Sequence, residues 1–182
     1  MNGGPENGRR GYQMTFSIAY IRDFAMDHYI LSESFETSVP WSRLTELCDN
    51  VKRRVWDEHR KHKLPGVPFI SCRVTQLYES GACIYFYFGF YYKGVPNPSE
   101  TYAAIENAAR DEILKSGGSL SHHHGVGKLR QQFLPSVMSQ ASIDWIQRSK
   151  QAIDPQNIMG TRNQALGLRS GEDRHASEDR QE

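Results

Sequence analysis

Three adjacent imidazoles, His122, His123 and His124, lie in the stretch SLSHHHGVGKLR (residues 119–130), with Gly117-Gly118 before them and Gly125 and Gly127 after. Imidazole changes charge near neutral pH, so such a cluster suits proton transfer, anion binding or metal ligation. Flanking glycines let the backbone pass close to a ligand or take φ > 0. The competing reading is a solvated polar loop. Metal is not expected, because adjacent residues project in different directions and no HExxH, CxxC or His-x-His with a nearby carboxylate completes a ligand set. A nucleotide-binding P-loop is not expected either, since the Gly125–Lys128 stretch lacks the full spacing and its preceding strand. Backbone amides with Lys128 and Arg130 beside three imidazoles nevertheless make an electropositive turn suited to a phosphate.

Two further residues carry chemistry. Arg22 sits in the largely apolar stretch AYIRD (residues 19–23). A buried arginine is costly unless paired, so Arg22 is either half of a structural ion pair with Asp23 or another carboxylate, or a fork for a carboxylate or phosphate ligand. Tyr85 lies in a period-two run, Ala82 to Tyr92, that places Ala82, Ile84, Phe86, Phe88 and Phe90 on one face. Cys83, Tyr85, Tyr87, Gly89 and Tyr91 fall on the other. A second run, Phe69 to Tyr78, joins it through Glu79-Ser80-Gly81 as an antiparallel hairpin. A three-residue turn pairs Tyr78 with Ala82, hence Thr75 with Tyr85 and Arg73 with Tyr87. The tyrosine face is then either the wall of a site or an ordinary solvated sheet face.

The elements that must position these groups are helical and extended in alternation. Thr15 to Phe24 leans towards helix and Tyr29 to Thr37 reads as extended. Pro40 suits a first helical position, and Trp41, Leu44, Leu47, Cys48, Val51 and Val55 form one face of a helix over 40–63. Asn97, with Glu100 three residues on, reads as a capping box for a helix over 99–116 that ends at Gly117-Gly118. A third helix covers roughly Val137 to Ile153, closing before Asp154-Pro155. Fold class is therefore α+β, an antiparallel sheet covered by helices with carboxy-terminal helices behind. Residues 1–11 are polar and glycine-rich and 167–182 are charged with almost no apolar content, so both ends, 1–11 and 164–182, are expected to be disordered around one unit, 12–163.

Bulk properties exclude several classes. The 182 residues hold 22 Lys and Arg against 21 Asp and Glu, a net charge of +1, so no global field favours nucleic acid. Cys48, Cys72 and Cys83 are odd in number and lie in apolar periodic segments, which suits free thiols in a reducing setting. No apolar run reaches the length of a membrane span. Neither end reads as a signal peptide, transit segment or peroxisomal address.

Several motifs together resemble the carboxy-terminal part of the alkylglycerone-phosphate synthase family, also called alkyldihydroxyacetonephosphate synthases. They are GY (11–12), AYIRD (19–23), ESFETS (33–38), CRVTQ (72–76), GACIYFYF (81–88), GGSLSHHHGVGK (117–128) and DPQNI (154–158). The resemblance runs from about Glu6 to Asn163. It implies a vanillyl-alcohol-oxidase-like FAD enzyme, with an amino-terminal FAD domain and a cap. The implied reaction exchanges the acyl chain of acyl-dihydroxyacetone phosphate for a long-chain fatty alcohol in peroxisomal ether lipid synthesis, through a flavin N5 adduct. It further implies Tyr85 as proton donor and acceptor, His122, His123 and His124 as active-site residues, and Arg22 as substrate-binding. It leaves cofactor-binding residues unassigned, and leaves room for association with the peroxisomal membrane surface and for a homo-oligomer. On the same resemblance the FAD domain and first part of the cap are not in this chain, which is expected to be inactive alone. The alternative is a non-catalytic fragment serving as a protein-interaction module.

Overall fold

The computed structural model describes residues 5–160 and 162–168. It divides into two compact units, the first ending at Ser119 and the second beginning at Leu120. The class is α+β, as the alternation of periods predicts.

In the first unit, β1 (Ile30–Pro40), β2 (Phe69–Leu77) and β3 (Gly81–Tyr91) form an antiparallel sheet in the order β1-β3-β2. The most apolar strand is central. Ile84, Phe86 and Phe88 are fully buried beneath α2 (Leu44–Lys61) and α3 (Pro98–Lys115), together with Leu47, Val51, Val55, Ile105, Ala109 and Ile113. Phe35, opposite Phe86 in the register, stacks on it with centroids 5.3 Å apart. Tyr102 of α3 stacks on Phe88 at 5.0 Å and donates its hydroxyl to the Phe88 carbonyl.

The hairpin differs from the expected register. Tyr78 N–H donates to the Gly81 carbonyl, leaving a two-residue turn, so Leu77 rather than Tyr78 faces Ala82. A bulge at Thr75 then shifts the strand again and sets Arg73 opposite Tyr85. The turn is held from outside the hairpin. Trp41 donates its indole N–H to the Tyr78 carbonyl at 2.9 Å and its backbone N–H to that of Ser80. Gly81 is required there, because a Cβ would stand 2.2 Å from the Val39 carbonyl oxygen.

Three helix ends also depart from expectation. Residues 5–11, read as part of a disordered start, are the first turns of α1 (Pro5–Asp27), where a proline at the first position and Glu6 in the first turn suit an amino terminus. Residues 1–4 and 169–182 of the expected disordered ends lie outside the described residues. Pro40 ends β1, and a 3-10 turn over Trp41–Arg43 precedes α2. Asn97 takes a left-handed backbone, φ 50°, ψ 57°, and its side chain caps nothing, since that conformation turns it away from the first-turn amides. Gly117-Gly118 does end α3, with Gly118 N–H donating to the Ile113 carbonyl at 2.9 Å.

The second unit is small. After the histidine loop come a 3-10 turn (Gln131–Phe133), α4 (Leu134–Val137), α5 (Gln140–Ile153) and a 3-10 turn (Gln164–Gly167). Ser139 caps α5, its hydroxyl accepting from Ser142 N–H, so the single helix expected over 137–153 is broken at 138–139. The Asp154 carboxylate accepts from the Ile158 and Met159 amides and pairs with Lys150, which holds it below the usual carboxylate range. Gln164–Gly167 lies in the segment read as a disordered tail; Gln147 fixes it by donating to the Ala165 and Leu168 carbonyls. Among the described residues no helix is long and apolar enough to cross a membrane.

Two outcomes follow from this packing. A Cβ on Gly118 would stand 2.8 Å from Ile113 Cγ2, Leu47 Cδ1 and Thr37 Oγ1. Gly118→Ala is expected to lower stability by about 1–3 kcal/mol, read as an earlier urea midpoint. His59 near the end of α2 is buried and its Nε2 has no partner among the described residues, so burial depresses its pKa. The native state keeps it neutral while the unfolded chain takes up a proton near pH ~6.5, so stability holds above that value and falls as pH drops through it. Urea midpoints at pH 7.5 and 5.5 should differ in that direction, and His59→Leu should shrink the difference.

Candidate active-site residues in the two units

Alternation along β3 decides which side chains can reach a substrate. With the phenylalanines buried under helices, Cys83, Tyr85 and Tyr87 take the opposite face. Across the three strands, Tyr85 is flanked by Glu36 of β1 and Arg73 of β2, Tyr87 by Ser34 and Ser71, and Cys83 by Ser38 and Gln76. A carboxylate, a phenol and a guanidinium thus share one row. The Arg73 guanidinium lies 5.3 Å from the Tyr87 ring centre, and the Tyr85 and Tyr87 rings stack at 6.2 Å. The expected cluster of an arginine and two phenols is present, although Arg73 rather than Thr75 faces Tyr85.

Burial raises the Tyr85 pKa above the ordinary phenol value, with Cys83, Glu36 and Tyr87 adding to the rise and Arg73 opposing it. Tyr85 is therefore a phenol at neutral pH, able to donate a proton; its deprotonated form is favoured by whatever cation approaches. Glu36 is fully buried on this face. Sequence reasoning placed Arg73 on this face with the two phenols but did not single out Glu36. The period-two pattern of ESFETS and its place opposite β3 were the available signal for Glu36.

Arg22 is not buried. Its side chain, 46% exposed on α1, pairs with the similarly exposed Glu33 of β1 rather than with Asp23. Of its two readings, the ion pair is the one present, and an exposed pair of this kind exchanges easily for an anionic ligand. The buried arginine of this unit is Arg110 on α3, 1% exposed, which pairs with Glu106 at 2.9 Å and stands 5.6 Å from the Phe35 ring centre.

The chain leaves α3 along a fixed path. Ser119 N–H donates to the Ser38 carbonyl, Ser38 N–H donates to Ser119 Oγ, and Thr37 Oγ1 donates to the Ser119 carbonyl at 2.7 Å. Serine and threonine hydroxyls here supply what a fourth strand would otherwise provide.

In the second unit, His122, His123 and His124 occupy an irregular loop. Nδ1 atoms of His122 and His123 lie 2.8 Å apart, within hydrogen-bond distance, the tautomer deciding which of the two donates. The His123 and His124 rings meet edge to face at 4.7 Å. Arg130 is buried, and its Nη1 donates to Ser121 Oγ at 3.0 Å and to the Gly125 carbonyl at 2.9 Å, so the guanidinium braces the loop from within. Lys128 remains exposed. Gly125 and Gly127 take φ 79° and 55°, as a tight polar turn needs.

Residues 5–163 match the family model described as FAD linked oxidases, C-terminal domain. The chain belongs to that family. It is similar to alkyldihydroxyacetonephosphate synthases of Caenorhabditis elegans, at 49% identity over 88% of this chain and 27% of the relative, and of Dictyostelium discoideum, at 31% over 87% and 26%. A solved structure of an alkyldihydroxyacetonephosphate synthase superposes with a TM-score of 0.56 at 25% identity, covering 79% of this chain and 22% of that one. The chain spans about a quarter of the length of the curated relatives it matches. FAD is the cofactor this family implies. Within the first unit the donor set fits part of it, because the Tyr85 and Tyr87 phenols and the Arg73 guanidinium suit the carbonyl and ring-nitrogen acceptors along the polar edge of a flavin ring.

Because the Arg22–Glu33 pair is exposed, Arg22→Gln should shift stability by no more than ~1 kcal/mol. A urea midpoint close to wild type, with the far-UV circular dichroism spectrum unchanged, would leave Arg22 free for a ligand role; a large loss would make it structural.

Proposed function

We propose that this chain is the cap-derived and carboxy-terminal part of a peroxisomal alkyldihydroxyacetonephosphate synthase. Such an enzyme is a transferase that exchanges the acyl chain of acyl-dihydroxyacetone phosphate for a long-chain fatty alcohol in ether lipid synthesis. The observation that carries this reading is the 49% identity to the Caenorhabditis elegans synthase over 88% of the chain. The row Glu36–Tyr85–Arg73 supports it chemically.

The exchange releases a fatty acid and takes in an alcohol, so a group must hold a proton and return it. Tyr85 suits that role: its phenol is protonated at rest, and Arg73 stabilises the charge when the proton leaves. Arg22 binds an anionic group of the substrate through its fork when it leaves Glu33. His122, His123 and His124 supply ring N–H donors to an anion. FAD, when bound, would supply an electrophilic ring nitrogen for the exchange, and Tyr85 would serve it as proton donor and acceptor. On this reading the 182-residue chain alone does not turn over substrate, because most of the relatives' length lies outside the matched span.

A second reading, a non-catalytic module that pairs with full-length subunits, is favoured by α1. Tyr12, Phe16, Tyr20 and Phe24 recur every fourth residue along that helix and are 65–78% exposed. Solution mass with and without a full-length synthase separates the two readings, since a persistent mixed oligomer supports the module.

In a full-length enzyme carrying these residues, Tyr85→Phe should lower kcat by ~10² to 10⁴-fold while leaving the unfolding midpoint unchanged. Full activity in that variant would remove Tyr85 from the mechanism.

A further inference from the structure

Cys48 and Cys72 come from different elements and meet. Cys48 projects from the flank of α2, while Cys72, opposite Phe86 in the register, points to the helix-covered side of β2. Both pack at the margin of the core, both are half-buried and neither is in a disulfide. The two thiols interact side chain to side chain. β2 is an edge strand of the sheet, and both cysteines keep part of their surface exposed. Lys52, one turn along α2 and paired with Asp49 at 3.2 Å, places a cation beside both sulfurs. Cys83 differs in each respect. It is fully buried, on the opposite face of the central strand.

We propose that Cys48 and Cys72 form a peroxide-reactive dithiol, whose oxidation links α2 to β2 by a disulfide. Hydrogen peroxide is the oxidant. The Cys72 sulfur attacks one peroxide oxygen, the O–O bond breaks, and sulfenic acid and water result. The Cys48 sulfur then displaces the hydroxyl of that sulfenic acid, forming the S–S bond and releasing a second water. Both thiol protons end in water, two electrons pass from the sulfurs to the peroxide, and a reducing dithiol reverses the link. The order follows from position: Cys72 stands on the edge strand and meets the peroxide first, and Cys48, on the helix, enters second. Cys72 adjoins Arg73, so the link also anchors the strand position from which Arg73 faces Tyr85.

The test treats the full chain with hydrogen peroxide and counts thiols, followed by peptide mapping without reductant. The chain holds three cysteines. The expected result is a fall to one alkylatable thiol, Cys83, together with a linked peptide pair containing Cys48 and Cys72 that dithiothreitol separates. In Cys48→Ser, Cys72 should stop at sulfenic acid and be trapped by dimedone, with no linked pair. Three thiols surviving peroxide, or sulfinic acid at Cys72 without the 48–72 link while the circular dichroism spectrum is unchanged, would overturn the proposal. The wild-type map needs no variant, so a folding failure of Cys48→Ser leaves the test standing.

Discussion

Burial of one face of β3 is the constraint on which the first unit depends. Ile84, Phe86 and Phe88 are withdrawn from water on a strand with partners on both edges, under two helices that bury their own apolar stripes in return. Side chains alternate along a strand, so this burial compels Cys83, Tyr85 and Tyr87 to the other face. A slip of one residue would bury the phenols and expose the phenylalanines. The place of the Tyr85 hydroxyl is thus set by apolar packing on the side of the sheet it does not occupy.

What the second face can do then depends on its edges. Glu36 and Arg73 bring opposite charges to either side of Tyr85, one from each neighbouring strand, and their effects on the phenol oppose each other. Burial dominates both and keeps the proton on the oxygen. On the core side, Arg110 is tolerated among aromatic rings because Glu106 supplies its counter-charge and the Phe35 face accepts its cation.

The histidine loop has an internal brace. Arg130 reaches back to Ser121 and Gly125, and two positive-φ glycines let the turn close around it. The Arg130 cation thereby shapes the loop, which presents imidazoles and Lys128. The close approach of His122 and His123 follows from adjacent rings held in one irregular turn, a geometry that neither a helix nor a strand provides.

Much of this was legible in the residues. Period two in residues 82–92 revealed both faces of β3, the 3.6-residue stripe revealed α2 and α3, Gly117-Gly118 marked the end of α3, and the motifs led to the family that residues 5–163 match. These readings succeed because they need only the stereochemistry of consecutive residues. The register of β2 was not legible, since Trp41, far away in sequence, tightens the hairpin turn and the bulge at Thr75 moves Arg73 to Tyr85. Nor were the exposure of Arg22, the burial of Arg110, the inward turn of Arg130 or the meeting of Cys48 with Cys72. Each depends on which distant group arrives beside a side chain, and only the packing of helices on the sheet, or of a loop on itself, settles that.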